Sequence, residues 1–119
     1  MTPTIVERDG KLVMVVGTPG GSTIITSVFQ TILNVVEFDM NMQRAVAARR
    51  VHSQWLPEVI YPERGAISAA DSLKLVKMGH VFDDGYWYGI GRVDAILVSE
   101  DGKLEGGADP RGDDAAIGY

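Results

Sequence analysis

Gly17-Thr18-Pro19-Gly20-Gly21-Ser22-Thr23 closes an apolar strand, Lys11 to Val16, and opens a strongly apolar helix that begins at Ile24. The local order is strand, glycine turn, helix. Adjacent glycines take backbone conformations closed to residues with a side chain, so consecutive amides can face one point. The helix start beyond them adds unpaired amides and the positive end of a dipole, which suits a carboxylate, a phosphate or the oxyanion of acyl transfer. A tight turn without a ligand fits the same residues. Spacing alone favours that plainer reading, because glycine turns before helices are common.

Upstream, Thr4 to Arg8 and Lys11 to Val16 are β-rich runs separated by Asp9-Gly10, the two-residue signature of a tight hairpin, so the two strands pair antiparallel. Leu12-Val13-Met14-Val15-Val16 lacks alternation, which predicts a central strand covered on both faces. Downstream, Ile24, Ile25, Val28, Phe29, Ile32, Leu33, Val35 and Val36 recur at helical spacing and leave Gln30, Thr31, Asn34 and Glu37 on a narrow polar side. The expected helix is nearly buried, capped by Ser22, and ends near Phe38. Asn41 caps a second, short helix from Met42 to Ala48.

Arg49 to Pro57 reads as an ordered loop and Glu58 to Tyr61 as a short strand. Ser68-Ala69-Ala70-Asp71 resembles a capping box with aspartate in place of glutamate, opening a helix from Ala69 to Met78 that Gly79 stops in the left-handed position. His80-Val81-Phe82 reads as a strand, Asp83-Asp84-Gly85 as a turn and Tyr86-Trp87-Tyr88 as an aromatic cluster. Val93 to Val98 and Lys103 to Ala108 form a hairpin about Asp101-Gly102, followed by the polar loop Asp109 to Asp114. The order ββααβαβββ predicts an α+β fold in which an antiparallel sheet is covered by helices.

With 119 residues the chain fits a single domain, residues 1–119, and 45% hydrophobic with 23% charged residues is ordinary for a globular protein. A net charge of −5, with Arg49-Arg50 as the sole arginine pair, offers no basic face for a phosphate backbone, so no nucleic-acid partner is expected. The absence of cysteine excludes disulfides, thiolate nucleophiles and cysteine zinc sites. His52 and His80 make no metal pair, so neither a metal nor a cofactor is expected. Nothing reads as a signal peptide or membrane span.

Pro3-Thr4-Ile5-Val6, Asp9-Gly10-Lys11, Thr18-Pro19-Gly20-Gly21-Ser22, His52-Ser53-Gln54-Trp55-Leu56-Pro57, Ala108-Asp109-Pro110-Arg111 and Gly118-Tyr119 together resemble one family, in order and across essentially the whole chain. The chain resembles the C-terminal part of the small subunit of γ-glutamyltransferase, also called γ-glutamyltranspeptidase or glutathione hydrolase. The resemblance implies an N-terminal-nucleophile hydrolase fold, an αββα sandwich whose precursor cuts itself to expose a threonine. That threonine takes the γ-glutamyl group from glutathione or a related amide and passes it to water or an amino acid. Gly20 and Gly21 then match the oxyanion-hole glycines, with Thr18, Pro19 and Ser22 as the supporting loop. In this light the functional reading of the loop overtakes the plain turn. Gln54 and Trp55 match a family motif and read as structural, Trp55 as core. Arg111, between Asp109 and Asp113, reads as a terminal ion pair.

The resemblance also implies what these 119 residues leave to others. The family's nucleophile, the serines for the substrate α-carboxylate and the residues for its α-amino group all match positions upstream of Met1. The expected partners are therefore the remainder of the small subunit and the large subunit, with its carboxylate-binding arginine, together with γ-glutamyl substrates such as glutathione. The family suggests a bacterial periplasmic or secreted parent. Arg49, Ser53, Arg92 and Asp94 depart from the usual family pattern. On its own the chain is expected to be inactive and, with strands left uncovered, to form a homo-oligomer. The alternative is a non-catalytic binding or assembly module that retains the fold. Independent catalysis by residues present here finds no Ser-His-Asp set or paired carboxylates to support it.

Overall fold

The structure is a computed structural model that describes residues 3–83, 85 and 89–118. In chain order its elements are β1 (Thr4–Arg8), β2 (Lys11–Gly17), α1 (Thr23–Val36), α2 (Met42–Ala47), β3 (Val51–His52), β4 (Tyr61–Pro62), α3 (Ala69–Lys77), β5 (Asp94–Val98) and β6 (Leu104–Gly107). Residues 1–48 with 91–119 form one compact unit and residues 49–90 a second.

The first unit is a four-stranded antiparallel sheet in the order β1-β2-β5-β6, with α1 and α2 packed against it. Asp9 (φ 53°) and Gly10 (φ 72°) both take positive φ, the turn that an Asp-Gly pair favours, and set Arg8 opposite Lys11. Central β2 places Val16 between Thr4 and Ala95. Met14 and Val16 enter a core shared with Val28, Met42, Ala45, Val46, Val93 and Ala95. Full burial of each larger side chain contributes roughly 1.5–3 kcal/mol. The expected cover on both faces of β2 is not found among the described residues. Val15 lies in the cross-strand row Ile5, Val15, Ile96, and all three are exposed. An unbroken apolar run identifies a central strand, whereas what covers each face depends on residues elsewhere.

Helix α1 packs Ile24, Val28, Ile32 and Val35 on the core as its periodicity predicts, but it is less covered than the nearly buried helix expected. Its buried residues are Thr23, Ser27, Val28 and Thr31, while Ile25 is 78% and Phe29 58% exposed. Thr31, assigned by periodicity to the polar side, is fully buried. Two of these hydroxyls are satisfied within the segment: Thr31 Oγ1 donates to Ser27 O (2.9 Å) and Thr23 Oγ1 to Gly20 O (2.9 Å). Small side chains also permit close approach, since a Cβ built on Gly91 would lie 2.6 Å from Ser27 Oγ. Ser22 does not cap the helix: its backbone is already helical (φ −65°, ψ −22°) and its side chain makes no capping bond. The helix ends at Val36, with Glu37 N–H donating to Leu33 O (2.8 Å) and Phe38 left exposed.

Asn41 does cap α2, its Oδ1 accepting from Arg44 N–H at 2.8 Å. Side-chain bonds tie α2 to β6 and the residue after it: Met42 N–H donates to Glu105 Oε1 (2.8 Å), and the Gln43 amide exchanges two bonds with the Ala108 backbone (2.9 and 3.1 Å).

In the second unit β3 and β4 pair antiparallel, Val51 with Pro62 and His52 with Tyr61. The expected loop from Arg49 to Pro57 thus contains a strand, and the strand expected at Glu58 to Tyr61 is displaced to Tyr61–Pro62. His80 to Phe82 forms a single parallel bridge, Ile60 to Phe82, in place of a strand. Glu63 anchors the β3–β4 pairing, donating its N–H to Arg50 O (2.9 Å) and accepting at Oε2 from Arg50 N–H (2.8 Å). Helix α3 starts as read: Ser68 Oγ accepts from Asp71 N–H (3.1 Å) and donates to Asp71 Oδ2 (2.7 Å), and Gly79 (φ 98°) follows its end. Trp55, expected in the core, is 80% exposed. The Tyr86-Trp87-Tyr88 cluster and Asp84 lie outside the described residues. Among the described residues no helix is long and apolar enough to cross a membrane.

Candidate functional site

The glycine loop leaves β2 at Gly17 and is fixed from below by Thr18, whose side chain is fully buried. Thr18 Oγ1 donates to Pro19 O (2.7 Å) and accepts from Arg92 N–H (2.8 Å), tying the loop to the segment before β5. At Gly20 (φ 143°) an added Cβ would lie 2.5 Å from Thr23 Oγ1 and 3.5 Å from Gly91 Cα, so both conformation and space require glycine. Gly20 O accepts from Thr23 N–H (3.1 Å) and from Thr23 Oγ1 (2.9 Å). Gly21 is left-handed (φ 57°) and has open space around its Cα, with its carbonyl accepting from Ile24 N–H at 3.3 Å. Pro19, Gly20, Gly21 and Ser22 are all exposed.

Among the described residues no acceptor meets the amides of Gly20, Gly21 or Ser22. Adjacent unpaired amides at the start of a fourteen-residue helix form a surface suited to a negative oxygen. The five residues singled out from the sequence therefore stand together on one loop, with different parts to play. Thr18 and Pro19 O are bonded, Gly20 and Gly21 carry free amides, and the Ser22 side chain braces nothing among the described residues. Thr23, which sequence reasoning passed over, holds the Gly20 carbonyl. Its signal was its place one turn after Gly20, within reach of that carbonyl.

Beyond the loop, Arg111 forms the expected ion pair with Asp109. Its Nη1 lies 2.9 Å from Asp109 Oδ1, while Asp113 lies 3.9 Å from Arg92 Nη1. Asp109 is buried and Arg111 partly so; Asp109 Oδ2 accepts from Val93 N–H (2.8 Å) while Arg111 Nη2 donates to Ala48 O (2.9 Å). The pair joins the C-terminal loop to the start of β5 and the end of α2. Arg92 Nε lies 3.4 Å from Asp114 Oδ2, an oxygen that has this ionic partner and no hydrogen bond. Nearby, Asp94 is pushed above the ordinary carboxylate value by partial desolvation and then by Asp114, with Arg92 opposing. A cleft of about 1180 Å³ on the exposed sheet face is lined by Val15, Gly17, Asp94, Ile96, Gly106 and Ala116, among others. Among the described residues no group of three His, Asp or Glu side chains is placed to hold a metal.

A family model described as gamma-glutamyltranspeptidase matches residues 1–119. The glutathione hydrolase proenzyme of Pseudomonas aeruginosa is 45% identical over 115 residues, covering 94% of this chain and 20% of that protein. The glutathione hydrolase proenzyme of Escherichia coli is 41% identical over 121 residues, covering the whole chain and again 20% of the relative. Among solved structures, gamma-glutamyltranspeptidase from Pseudomonas nitroreducens complexed with L-DON superposes with a TM-score of 0.87 at 41% identity, covering all of this chain and 62% of that one. The chain thus spans about a fifth of the length of these curated relatives.

Proposed function

The chain belongs to the gamma-glutamyltranspeptidase family of N-terminal-nucleophile hydrolases, and on that footing we propose that its glycine loop supplies the oxyanion hole for γ-glutamyl transfer. The observation that carries this reading is the pair of exposed, acceptor-free amides at Gly20 and Gly21 beside the start of α1. In acyl transfer a nucleophile adds to the amide carbonyl, and the carbonyl oxygen takes up the negative charge. Two N–H donors fixed in advance stabilise that charge more than they stabilise the neutral carbonyl, so they lower the barrier in preference to tightening binding. The intermediate collapses by breaking the carbon–nitrogen bond, the donor's amine departing with the proton given up by the nucleophile. The γ-glutamyl group stays as an ester that water or a second amine then cleaves, freeing the nucleophile. In this division of labour the attacking threonine and the pocket for the glutamyl α-carboxylate and α-amino groups come from the rest of the parent protein, and the present residues supply the hole. The exposed row Ile5, Val15, Ile96 is the sheet face on which we place that remainder, and without it the chain is expected to self-associate.

The test is a chimera in which this chain replaces the matching 115-residue region of the Pseudomonas aeruginosa relative. The chimera is expected to hydrolyse glutathione and γ-glutamyl anilides. Gly21→Val, which forces a β-branched residue into φ 57°, is expected to lower kcat by about a hundredfold or more with KM nearly unchanged. A Gly21→Val chimera with undiminished kcat overturns the reading. The 119-residue chain alone is expected to release no anilide, and robust turnover by it would overturn the division of labour.

A further inference from the structure

Each of the two proposed donor amides belongs to a peptide whose carbonyl is held from the other side by a threonine hydroxyl. The Pro19–Gly20 peptide is trans, so Pro19 O and Gly20 N–H point in opposite directions, and Pro19 O accepts from Thr18 Oγ1 at 2.7 Å. The Gly20–Gly21 peptide repeats the arrangement: Gly20 O accepts from Thr23 Oγ1 at 2.9 Å, and Gly21 N–H points the other way. Thr18 and Thr23 are both buried, whereas Gly20 and Gly21 are exposed. The two hydroxyls therefore pull two carbonyls inward and turn two amides toward solvent.

We propose that Thr18 and Thr23 are positioning residues for the oxyanion hole, each fixing one donor peptide by hydrogen bonding to its carbonyl, an inference that rests on the oxyanion reading of the glycine loop. Neither touches substrate. Without its hydroxyl bond a glycine peptide has little to stop it from rotating, because glycine accepts either sign of φ. Rotation turns the amide away and puts a carbonyl oxygen where negative charge must develop. Thr18 has the larger share. Its oxygen also accepts from Arg92 N–H, so its orientation is fixed from both ends, and no other donor meets Pro19 O among the described residues. Gly20 O keeps a second donor, Thr23 N–H at 3.1 Å, when the Thr23 hydroxyl is removed.

The experiment uses Thr→Val, which keeps the shape and deletes the hydroxyl, and Thr→Ser, which keeps the hydroxyl. In the chimera, Thr18→Val is expected to lower kcat for a γ-glutamyl anilide by about ten- to a hundredfold with KM within about twofold. Thr23→Val should lower kcat by roughly three- to tenfold, because one of the two bonds to Gly20 O survives. Thr18→Ser and Thr23→Ser should each recover kcat to within about threefold of the parent. Full kcat in both valine variants, or loss in the serine variants as large as in the valine ones, overturns the proposal. If Gly21→Val abolishes turnover while both valine variants are fully active, the positioning inference fails and the oxyanion reading stands. If Gly21→Val is also fully active, the oxyanion reading itself fails. A readout independent of turnover comes from amide exchange in the 119-residue chain. Thr18→Val should speed exchange at Arg92 N–H by about tenfold or more, since it loses its acceptor, and Thr18→Ser should not. Unchanged exchange at Arg92 in Thr18→Val overturns the geometry on which the proposal stands.

Discussion

The first unit closes over Met14, Val16, Val28, Met42, Val46 and Val93, whereas among the described residues the fully buried large side chains of the second are Arg50, His52 and Ile90, with Glu63 nearly so. Apolar packing is graded: a lost methylene removes a fraction of the contacts and the neighbours relax part of the way. A buried polar network is closer to all-or-none, since each group relies on a named partner and an orphaned group keeps its whole desolvation penalty. Glu63 is the hub. Its two oxygens accept from the buried amides of Arg50 (2.8 Å) and Ile90 (2.6 Å), and Arg50 Nη1 in turn donates to Ile90 O (2.8 Å). One substitution in each unit therefore tests the contrast. Glu63→Ala, which removes a carboxylate accepting from two buried amides, is expected to cost about 3–5 kcal/mol in urea unfolding. A loss under about 1 kcal/mol would mean that water takes over the role of the carboxylate. Met14→Ala is expected to cost about 3 kcal/mol, and a further cut at Val16 should add in part, as packing allows.

The same contrast explains what could be read in advance. Local signals carried both hairpins: Asp9-Gly10 and Asp101-Gly102 impose a turn through their own backbone preferences, whatever lies around them. Asn41 and Ser68 likewise declare helix starts by reaching amides three residues on. The glycine loop was legible as a place where amides could gather, with Thr18 among its supports, though not that buried Thr23 would hold the Gly20 carbonyl. What failed were the burial assignments that depend on a neighbour from far along the chain. Periodicity found the part of the α1 stripe that meets the core, Ile24, Val28, Ile32 and Val35, yet not that Thr23, Ser27 and Thr31 would be buried as well, with Ser27 close to Gly91. Ile25 and Phe29 remain exposed. Residue type places Trp55 in a core, yet it stands in the open, while Arg50, Glu63 and Asp109, which residue type places at the surface, are buried. Their partners lie at sequence separations of 13, 27 and 16, for Arg50 with Glu63, Glu63 with Ile90 and Asp109 with Val93. No local pattern encodes such pairings.

The two serine-started helices sharpen the comparison at smaller scale. Ser68 makes the capping bond of α3, so Ser68→Ala should cost about 1 kcal/mol. Ser22 makes no such bond at the start of α1, so Ser22→Ala should change stability by no more than a few tenths of a kcal/mol, about the size of a neutral surface change. Urea midpoints for the two variants decide it. A Ser22→Ala loss equal to that of Ser68→Ala would restore the cap that the sequence led one to expect.

The smallest expected effect is a difference of sign between one carboxylate in each unit. In the second unit, Asp71 is held below its ordinary value of 3.8 by the Lys74 ammonium and then by Ser68. The folded state therefore binds the Asp71 proton less tightly than the unfolded chain does. Its stabilisation is present above 3.8 and is lost as the pH falls through the lowered folded value. In the first unit, Asp94 is raised above 3.8 by desolvation and by Asp114, against the pull of Arg92. Here the folded state binds the proton more tightly, so ionisation removes stability as the pH rises from 3.8 through the raised folded value. Replacing each aspartate by asparagine deletes its contribution. Relative to the parent chain, Asp71→Asn should become less stable as the pH rises from about 3 to about 6, and Asp94→Asn should become more stable over the same window. Both side chains are exposed, so added salt should flatten both trends. Trends of the same sign in the two variants would show that Asp94 is governed by Arg92 rather than by its acidic neighbour and its partial burial.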